Sequence, residues 1–212
     1  MHIEFMSRRL ALVALVASAW LGTPVFAADE APDAMIKRLT SEVMRSIKSD
    51  PAIQSGDLAR TIALVDTQIM PSVDFHRMTA SAVGPAWRRA TPEQQQRLRQ
   101  EFKTLLVRTY AGALAQASDQ VIVVKPLRAA ADDKEVVVRT EARGKGESIQ
   151  IDYRLVKMPV EGAGWKIYNL NVVGVWLVET YRSQFSQEIN ANGLDGLINT
   201  LAERNKANAA KG

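Results

Sequence analysis

The segment at residues 165–185, WKIYNLNVVGVWLVETYRSQF, decides the fold because it changes from a strand pattern to a helix pattern with only Gly174 as turn chemistry between them. Its first half is rich in aromatic and β-branched residues, which are typical of strands. Strict alternation would divide the apolar residues of this strand between two faces, Trp165 and Ile167 on one and Tyr168, Leu170 and Val172 on the other. An apolar layer is therefore expected against each face.

Three further segments with a period of two precede it, VIVVKPL at 121–127, EVVVRTEAR at 135–143 and SIQIDYRLV at 148–156. The connections between these strand candidates are short enough for hairpins, so we expect an antiparallel sheet. Alternate residues of the third segment would share one apolar face, namely Ile149, Ile151, Tyr153 and Leu155.

Helical patterns flank the sheet on both sides in sequence. Residues 34–49 and 58–70 carry apolar side chains at helical spacing, and a short helix is predicted between Asp74 as N-cap and Gly84 as C-cap. Thr91 and Pro92 mark the start of the clearest helix. Helical patterns follow at 176–189 and 194–201. The chain is thus predicted to be α+β, a curved antiparallel sheet of about four strands with helices packed mainly over one face.

The first residues have the pattern of a secretory signal. Arg8 and Arg9 precede an apolar run at 10–21, and small residues end at Ala27. A retained anchor is the alternative, but this run is shorter than the roughly 20 residues that span a bilayer. We therefore expect cleavage after residue 27 and one domain over 28–212, helical at 34–118, a sheet at 120–175 and helical at 176–204.

Composition excludes several classes of function. The chain has 27 basic and 23 acidic residues, spread evenly, which is too little positive charge for a nucleic-acid interface. It has no cysteine, and its one histidine after the signal is His76, so most zinc sites and any cysteine nucleophile are excluded. His76 is interpreted as a surface residue of a short helix. No metal site is predicted.

Carboxylates leave one enzymatic hypothesis, an Asp base and a Tyr donor in an apolar cavity. Asp152 and Tyr153 are neighbours in a strand, however, so their side chains should point to opposite faces. Asp66 and Asp74 are more simply a solvated helix position and an N-cap. We predict no catalytic residue, and three alternatives remain: a carrier with an apolar cavity, an enzyme on an apolar substrate, and an interaction module whose sheet is covered on both faces.

Four motifs resemble, in order and spacing, the MlaC or toluene-tolerance family: DFHRMTASAVGPAW at 74–87, TPEQQQRLRQEFKTLLVRTY at 91–110, GWKIYNLNVVGVWLVETYRSQF at 164–185 and NGLDGLINTL at 192–201. The resemblance implies a nuclear-transport-factor-like fold and a carrier in the Gram-negative periplasm. Such a carrier shuttles phospholipid between the outer and inner membranes and maintains outer-membrane lipid asymmetry. A protein of this kind needs no cofactor, since phospholipid is its cargo.

The resemblance also implies partners and a site. The partners would be a diacyl phospholipid, an outer-membrane complex of a lipoprotein with porin, and an inner-membrane ABC transporter with an MCE-domain subunit, with no nucleic acid and the carrier as a monomer. The implied lipid-binding pocket or its rim comprises Phe75, Met78, Trp87, Phe102, Leu106, Tyr110, Ile151, Tyr153, Trp165, Ile167 and Val175.

Two positions depart from the family pattern, and both lie in the segment at 165–185. Asn169 stands where an aspartate is common, and Trp176 stands where a small hydroxyl residue is common. A large ring at that junction would either pack in the core or fill part of the pocket. Arg143, Lys145 and Arg154 are candidates for a basic pocket rim, with hairpin solubility as the alternative.

Overall fold

The computed structural model describes residues 30–130, 132–159 and 164–209. The predicted signal peptide at 1–27 lies outside the described residues and stays a prediction. The helices are α1 Pro32–Ser49, α2 Pro51–Gln54, α3 Leu58–Leu64, α4 Phe75–Val83, α5 Pro92–Ala115 and α6 Leu177–Ala209. The strands are β1 Val121–Val124, β2 Glu135–Arg143, β3 Ile149–Lys157, β4 Trp165–Val172 and β5 Val175–Trp176.

The strands form one sheet in the order β1-β2-β3-β4-β5, and every neighbouring pair is antiparallel. The predicted α+β class is confirmed. The sheet has five strands because the end of the segment at 165–172 turns back on itself and adds the two residues of β5. Each strand pairs with the strand that follows it in the chain, as the short links between the strand patterns indicate.

A β-bulge in β4 overturns the predicted division of its apolar residues. Arg154 in β3 lies opposite Asn169, whereas the next residue, Leu155, lies opposite Ile167. Tyr168 is therefore an extra residue in β4 with no residue opposite it, and the side chains after it change faces. Since cross-strand partners share a face, the bulge brings four apolar residues of β4 to one side of the sheet: Trp165, Ile167, Leu170 and Val172.

The helix ends follow the predicted capping residues. The Asp74 side chain accepts a hydrogen bond from the backbone N–H of Arg77, and Gly84 ends α4 with φ 71°. Thr91 begins α5 in a capping box with Gln94. In α6, Gly193 has φ 72° and ψ −173°, so the helix is broken into the two helical parts that the sequence indicates.

The helix predicted at 58–70 takes three forms. Its α-helical part, α3, ends at Leu64, a π-helical turn follows at Val65–Ile69, and a 3₁₀ turn follows at Met70–Ser72. Pro71 lies inside this last turn and supplies no N–H for a continued helix. The chain then reaches Val73, which forms a parallel bridge with Ile167 of β4.

Two separate clusters of buried side chains make up the core. The first joins α4, α5, α6 and the 3₁₀ turn Gly84–Arg89, and its largest fully buried side chains are Phe102 and Phe185. The second joins α1, α2 and α3 to one face of β2, β3 and β4, with Ile36 and Leu155 fully buried. The sheet is thus covered by α1 on one side of the molecule, while α4, α5 and α6 pack mainly on one another.

Candidate functional site

The register of the sheet separates an inward face from an outward face. We call inward the face that packs on α1, which carries Val138 and Leu155. Two rows of side chains cross this face, Thr140 with Ile151 and Val172 in one, and Val138 with Tyr153 and Leu170 in the other. The inward face is therefore apolar except for one hydroxyl in each row.

Several apolar side chains that pack against the two cores are only partly buried. Val73 packs against both clusters, and the others pack against one cluster each. We call the following set the apolar cleft: Ile69, Val73, Phe75, Leu106, Tyr110, Leu114, Tyr153 and Leu170. Apolar side chains that a domain leaves partly accessible are where an apolar ligand would gain most from binding.

Tyr153 is a strongly desolvated member of this set. Its side chain is only half-buried, yet desolvation raises the pKa of its hydroxyl from 10.0 to about 12, opposed by a hydrogen bond with Thr140. Thr140 is itself buried and donates its hydroxyl hydrogen to the Ile151 carbonyl oxygen at 2.7 Å.

The predicted pocket residues divide into three groups. Six are half-buried, as a pocket wall requires: Phe75, Leu106, Tyr110, Ile151, Tyr153 and Trp165. Four lie inside the two cores: Met78, Trp87, Phe102 and Ile167. Val175 is 52% exposed, at the end of the sheet opposite Val172. Their role in binding stays a prediction for all eleven.

The sequence patterns missed half of the apolar cleft. Leu170 was expected on the other face from Ile167, because the bulge at Tyr168 leaves no mark in a simple alternation. Ile69 ends the π-helical turn after α3, and Val73 follows the 3₁₀ turn in extended conformation, so the helical spacing predicted for residues 58–70 did not identify their inner side. Leu114 lies at helical spacing from the other apolar residues of α5, and this spacing was the one feature of the sequence that could have identified it.

Trp176 lies outside the apolar cleft. It pairs with Asn171, whose neighbours Leu170 and Val172 face inward, so its ring is on the outward face. There the guanidinium carbon of Arg154 lies 3.9 Å from the centroid of the ring. The large ring at this junction is a packing residue of the outer surface, and it takes no room from the cleft.

Asn169 joins the outward face to the start of α6. It is 1% exposed, and its side-chain oxygen accepts the backbone N–H of Val178 at 3.1 Å. Its amide donates to Glu179 at 2.7 Å, and Arg154 forms an ion pair with the same carboxylate. Although desolvation opposes the effect, the hydrogen bonds from Asn169 and Arg154 lower the pKa of Glu179.

Each candidate residue of the basic rim has an acidic neighbour; the three are Arg143, Lys145 and Arg154. Arg143 binds Glu141 at 2.9 Å, and the Nζ of Lys145 lies 3.5 Å from Asp119. Arg154 is held by Glu179 on the outward face, away from the apolar cleft. These contacts favour the alternative interpretation, that the three are hairpin and surface residues.

No catalytic arrangement is assembled around the cleft in the part of the chain that the structure describes. Asp152 is buried on the outward face, opposite to Tyr153. The Asp66 carboxylate binds Lys103 at 2.8 Å, and Asp74 caps α4. The exposed ring of His76 lies edge-on to Trp87 with centroids 5.3 Å apart. Among the described residues, no three His, Cys, Asp or Glu side chains lie together as a metal site.

Taken with the fold, the cleft defines a class of protein, an α+β domain that carries an apolar surface between a sheet and its helices. The profile of the family described as "MlaC protein" matches residues 37–203, and the chain belongs to that family. Across residues 30–130, 132–159 and 164–209, no helix has the length and hydropathy needed to cross a bilayer.

Individual relatives agree with this assignment. A solved structure of the phospholipid-binding protein from Ralstonia solanacearum, in complex with a phospholipid, is 46% identical and superimposes with a TM-score of 0.81, covering 86% of this chain and 99% of the other. The toluene tolerance protein ttg2D of Pseudomonas putida is 28% identical over 79% of this chain and 77% of its own length. The intermembrane phospholipid transport system binding protein MlaC of Haemophilus influenzae is 19% identical over 96% of this chain and 95% of its own length.

Proposed function

We propose that this protein is a phospholipid carrier whose apolar cleft holds the acyl chains of its cargo. The observation that supports this most directly is a set of half-buried apolar side chains packed against the two cores, in a fold whose 46% identical neighbour was solved in complex with a phospholipid. The acyl chains would lie against the inward face, between Tyr153 and Leu170 on the sheet and Leu106 and Tyr110 on α5. No step of the proposal requires a catalytic group or a cofactor.

The size of the hydrophobic effect explains why a carrier needs an enclosed cleft. Burial of one CH₂ group is worth about 0.8 kcal/mol, so two acyl chains of about sixteen carbons represent on the order of 25 kcal/mol. An exposed patch of that area would cause aggregation. The same magnitude means that cargo leaves only when an acceptor membrane or a docked complex opens the cleft. Retention of lipid in plain buffer is therefore expected, and spontaneous release there would contradict the proposal.

The cellular role that we propose follows the family. The carrier would work in the periplasm of a Gram-negative bacterium and move phospholipid between the outer and inner membranes, which maintains outer-membrane lipid asymmetry. Its partners there would be an outer-membrane complex of a lipoprotein with porin and an inner-membrane ABC transporter with an MCE-domain subunit. The name of the Haemophilus influenzae relative, which places it in an intermembrane phospholipid transport system, supports this role.

Native mass spectrometry of the gently purified protein tests the proposal. We expect a mass above that of the polypeptide by one diacyl phospholipid. Ile151→Arg should remove that added mass, because it places a charge on the inward face beside Thr140 and Val172. Val156→Arg is the matched control, since Val156 lies in the same strand on the outward face, opposite Glu135 and Lys166.

Two outcomes would contradict the proposal. A bare polypeptide mass for the unmodified protein would remove its basis. Equal cargo in the Ile151→Arg and Val156→Arg variants would show that the acyl chains lie elsewhere. Circular dichroism of both variants separates loss of cargo from loss of fold.

A further inference from the structure

Three exposed valines lie at one end of the sheet. Val121, Val173 and Val175 are 60%, 67% and 52% exposed, and they are the exposed large hydrophobic side chains of the described residues. Val121 in β1 lies opposite Arg143 at the end of β2, and Val173 and Val175 belong to the turn that joins β4 to β5. Strands lie about 4.8 Å apart, so Val121 and Val173 are about 14 Å apart across the sheet.

We call this end of the sheet, formed by Val121, the turn at 143–149 and the turn at 172–175, the sheet tip. Its position follows from the register, since Ala142 pairs with Ile149 and Val172 pairs with Ile151. The backbone N–H of Val173 also donates to the Gln150 carbonyl oxygen at 3.0 Å. The two turns and the start of β1 are therefore neighbours in space.

The turn residue Val173 is unfavourable for the turn itself. Val173 has φ 52° and Gly174 has φ 84°, the left-handed pair of a two-residue hairpin turn that normally takes Asn-Gly. A β-branched residue with positive φ is a strained exception. The turn is kept in place by the Gly174 N–H, which donates to the Asn171 side-chain oxygen at 2.9 Å. Since the valine neither favours the turn nor gains burial within the chain, its apolar side chain points to a contact outside the fold.

A cationic groove of about 400 Å³ lies on the outward face next to the sheet tip. Its lining comprises Lys125, Arg139, Thr140, Glu141, Ser148 and Gln150. The backbone N–H of Lys125 donates to the Arg139 carbonyl oxygen at 2.9 Å, so the two basic residues are neighbours on adjacent strands. Like charges in such a position destabilise a sheet unless an anion lies between them.

Acidic neighbours form ion pairs with all but one of the basic side chains at this end of the sheet. Glu141 binds Lys125 and Arg143, and Asp119 lies beside Lys145. Arg139 has no ion pair with any of the described residues, although Asp152 is its cross-strand partner. Asp152 instead accepts a hydrogen bond from Gln150 at 2.9 Å. With the exposed Glu147 and the buried Asp152 included, four basic residues face four acidic ones at this end, and the guanidinium of Arg139 is the basic group among them that is left available for an oxyanion.

We propose that the sheet tip and the cationic groove dock the protein on a phospholipid bilayer. The three valines would enter the interfacial layer, and Arg139, with Lys125, would bind a lipid phosphate. A lipid bilayer fits this surface, because its interfacial layer accepts the apolar side chains of the projecting turns and its headgroups supply phosphate oxygens for a basic side chain. This inference goes beyond the proposed function, because a carrier that exchanged cargo only inside protein complexes would have no use for such a surface.

Vesicle co-sedimentation tests the proposal with the full chain. We expect binding to vesicles of phosphatidylethanolamine with phosphatidylglycerol, and weaker binding in high salt. Arg139→Gln should weaken binding about fivefold, the effect of one basic residue at an anionic surface. Val173→Asn should weaken it by roughly fivefold or more through loss of apolar contact. Glu141→Gln should strengthen binding, because it frees Lys125 and Arg143.

The controls separate docking from folding and from cargo. Val173→Asn restores the favoured Asn-Gly turn, so its loss of binding cannot come from a weaker hairpin. Arg89→Gln removes an exposed charge from the 3₁₀ turn after α4 and should bind vesicles as the unmodified protein does. Native mass spectrometry should show the same cargo in all four variants, which keeps this test independent of the proposed function.

Four results would overturn the proposal. The first is no vesicle binding by the unmodified protein, and the second is equal binding by Val173→Asn, Arg139→Gln and Arg89→Gln. The third is calorimetric binding of inorganic phosphate that depends on Arg139 while vesicles are not bound, which would assign the groove to a free anion. Light scattering that showed a dimer lost in Val173→Asn, without vesicle binding, would assign the valines to a second copy of the chain and also overturn it.

Discussion

The guanidinium carbon of Arg154 lies 3.9 Å from the centroid of the Trp176 ring, on the face of the sheet that points away from the apolar cleft. Glu179 pairs with the same guanidinium, and Asn169 donates to Glu179. The strand, the turn and the first residues of α6 are thus joined by one outer cluster. The unusual Trp176 therefore contributes to stability and leaves the volume of the cleft unchanged.

Replacement of Trp176 separates its effect on stability from any effect on the volume of the cleft. Trp176→Ser should lower the free energy of unfolding by about 0.5–2 kcal/mol, the range of a partly exposed cation–π contact. The mass of bound lipid should stay the same, because the ring is outside the cleft. Urea unfolding and native mass spectrometry measure the two effects. Trp165→Ser, on the inward face, is the control and should change cargo, whereas a larger cargo in Trp176→Ser would contradict the assignment.

The bulge at Tyr168 can be tested by comparing a substitution with a deletion. Tyr168→Ala loses the Arg77 stack at 3.8 Å and the hydrogen bond to Glu135 at 2.8 Å, at a cost of about 1 kcal/mol. Deletion of Tyr168 removes the extra residue, and the shortened strand then alternates regularly with Trp165, Ile167 and Leu170 still on the inward face. We therefore expect the deletion variant to unfold within about 1 kcal/mol of Tyr168→Ala, because both variants lose the same contacts of the tyrosine ring.

Urea unfolding of the two Tyr168 variants gives the comparison. A much lower midpoint for the deletion than for the alanine variant would mean that Tyr168 is not the extra residue of β4. Circular dichroism before unfolding shows whether the deletion variant still forms its sheet.

Acid stability should depend on Glu141. Hydrogen bonds from Arg143, Lys125 and Ser148 lower the pKa of this carboxyl from 4.5 to about 2. The contribution of the Glu141 carboxylate to the free energy of unfolding is complete above pH 4.5. It is lost as the pH falls towards 2, because the unfolded chain takes up the proton first. Glu141→Gln should flatten the dependence of unfolding midpoint on pH in this window. An equally steep profile in the variant would assign acid sensitivity to other carboxylates.

Stability at alkaline pH should depend on Tyr153, and here stability is lost as the pH rises. Desolvation raises the pKa of its hydroxyl from 10.0 to about 12, so the stabilisation is complete below pH 10 and declines as the pH rises to 12. Tyr153→Phe should remove the last phenol to ionise in an ultraviolet titration. The pKa values of Tyr110, Tyr168 and Tyr181 are also raised by burial, so they should ionise before Tyr153 and after an unfolded control. If the late phenol persisted in Tyr153→Phe, the interior position of Tyr153 would be wrong.

Local patterns determined most of the elements of this protein. EVVVRTEAR became β2 without a change of boundary, Asp74 and Thr91 cap the helices they were expected to cap, and Gly193 divides the last helix. Such features depend on the hydrogen bonds and side-chain period of a few neighbouring residues, which a sequence displays directly. The class of fold followed from their order.

Tertiary structure alone decided which way the segment at 165–185 faces. The alternation of its apolar residues placed Leu170 and Ile167 on opposite sides, and the bulge at Tyr168 brought them together. Whether the ring of Trp176 blocked the cleft depended on its pairing with Asn171 through a turn that contains a left-handed valine. A shift of one residue moves every later side chain to the other face, and it is set by contacts between strands and not by the residues of one strand. The composition of the cleft therefore depended on the register of the sheet.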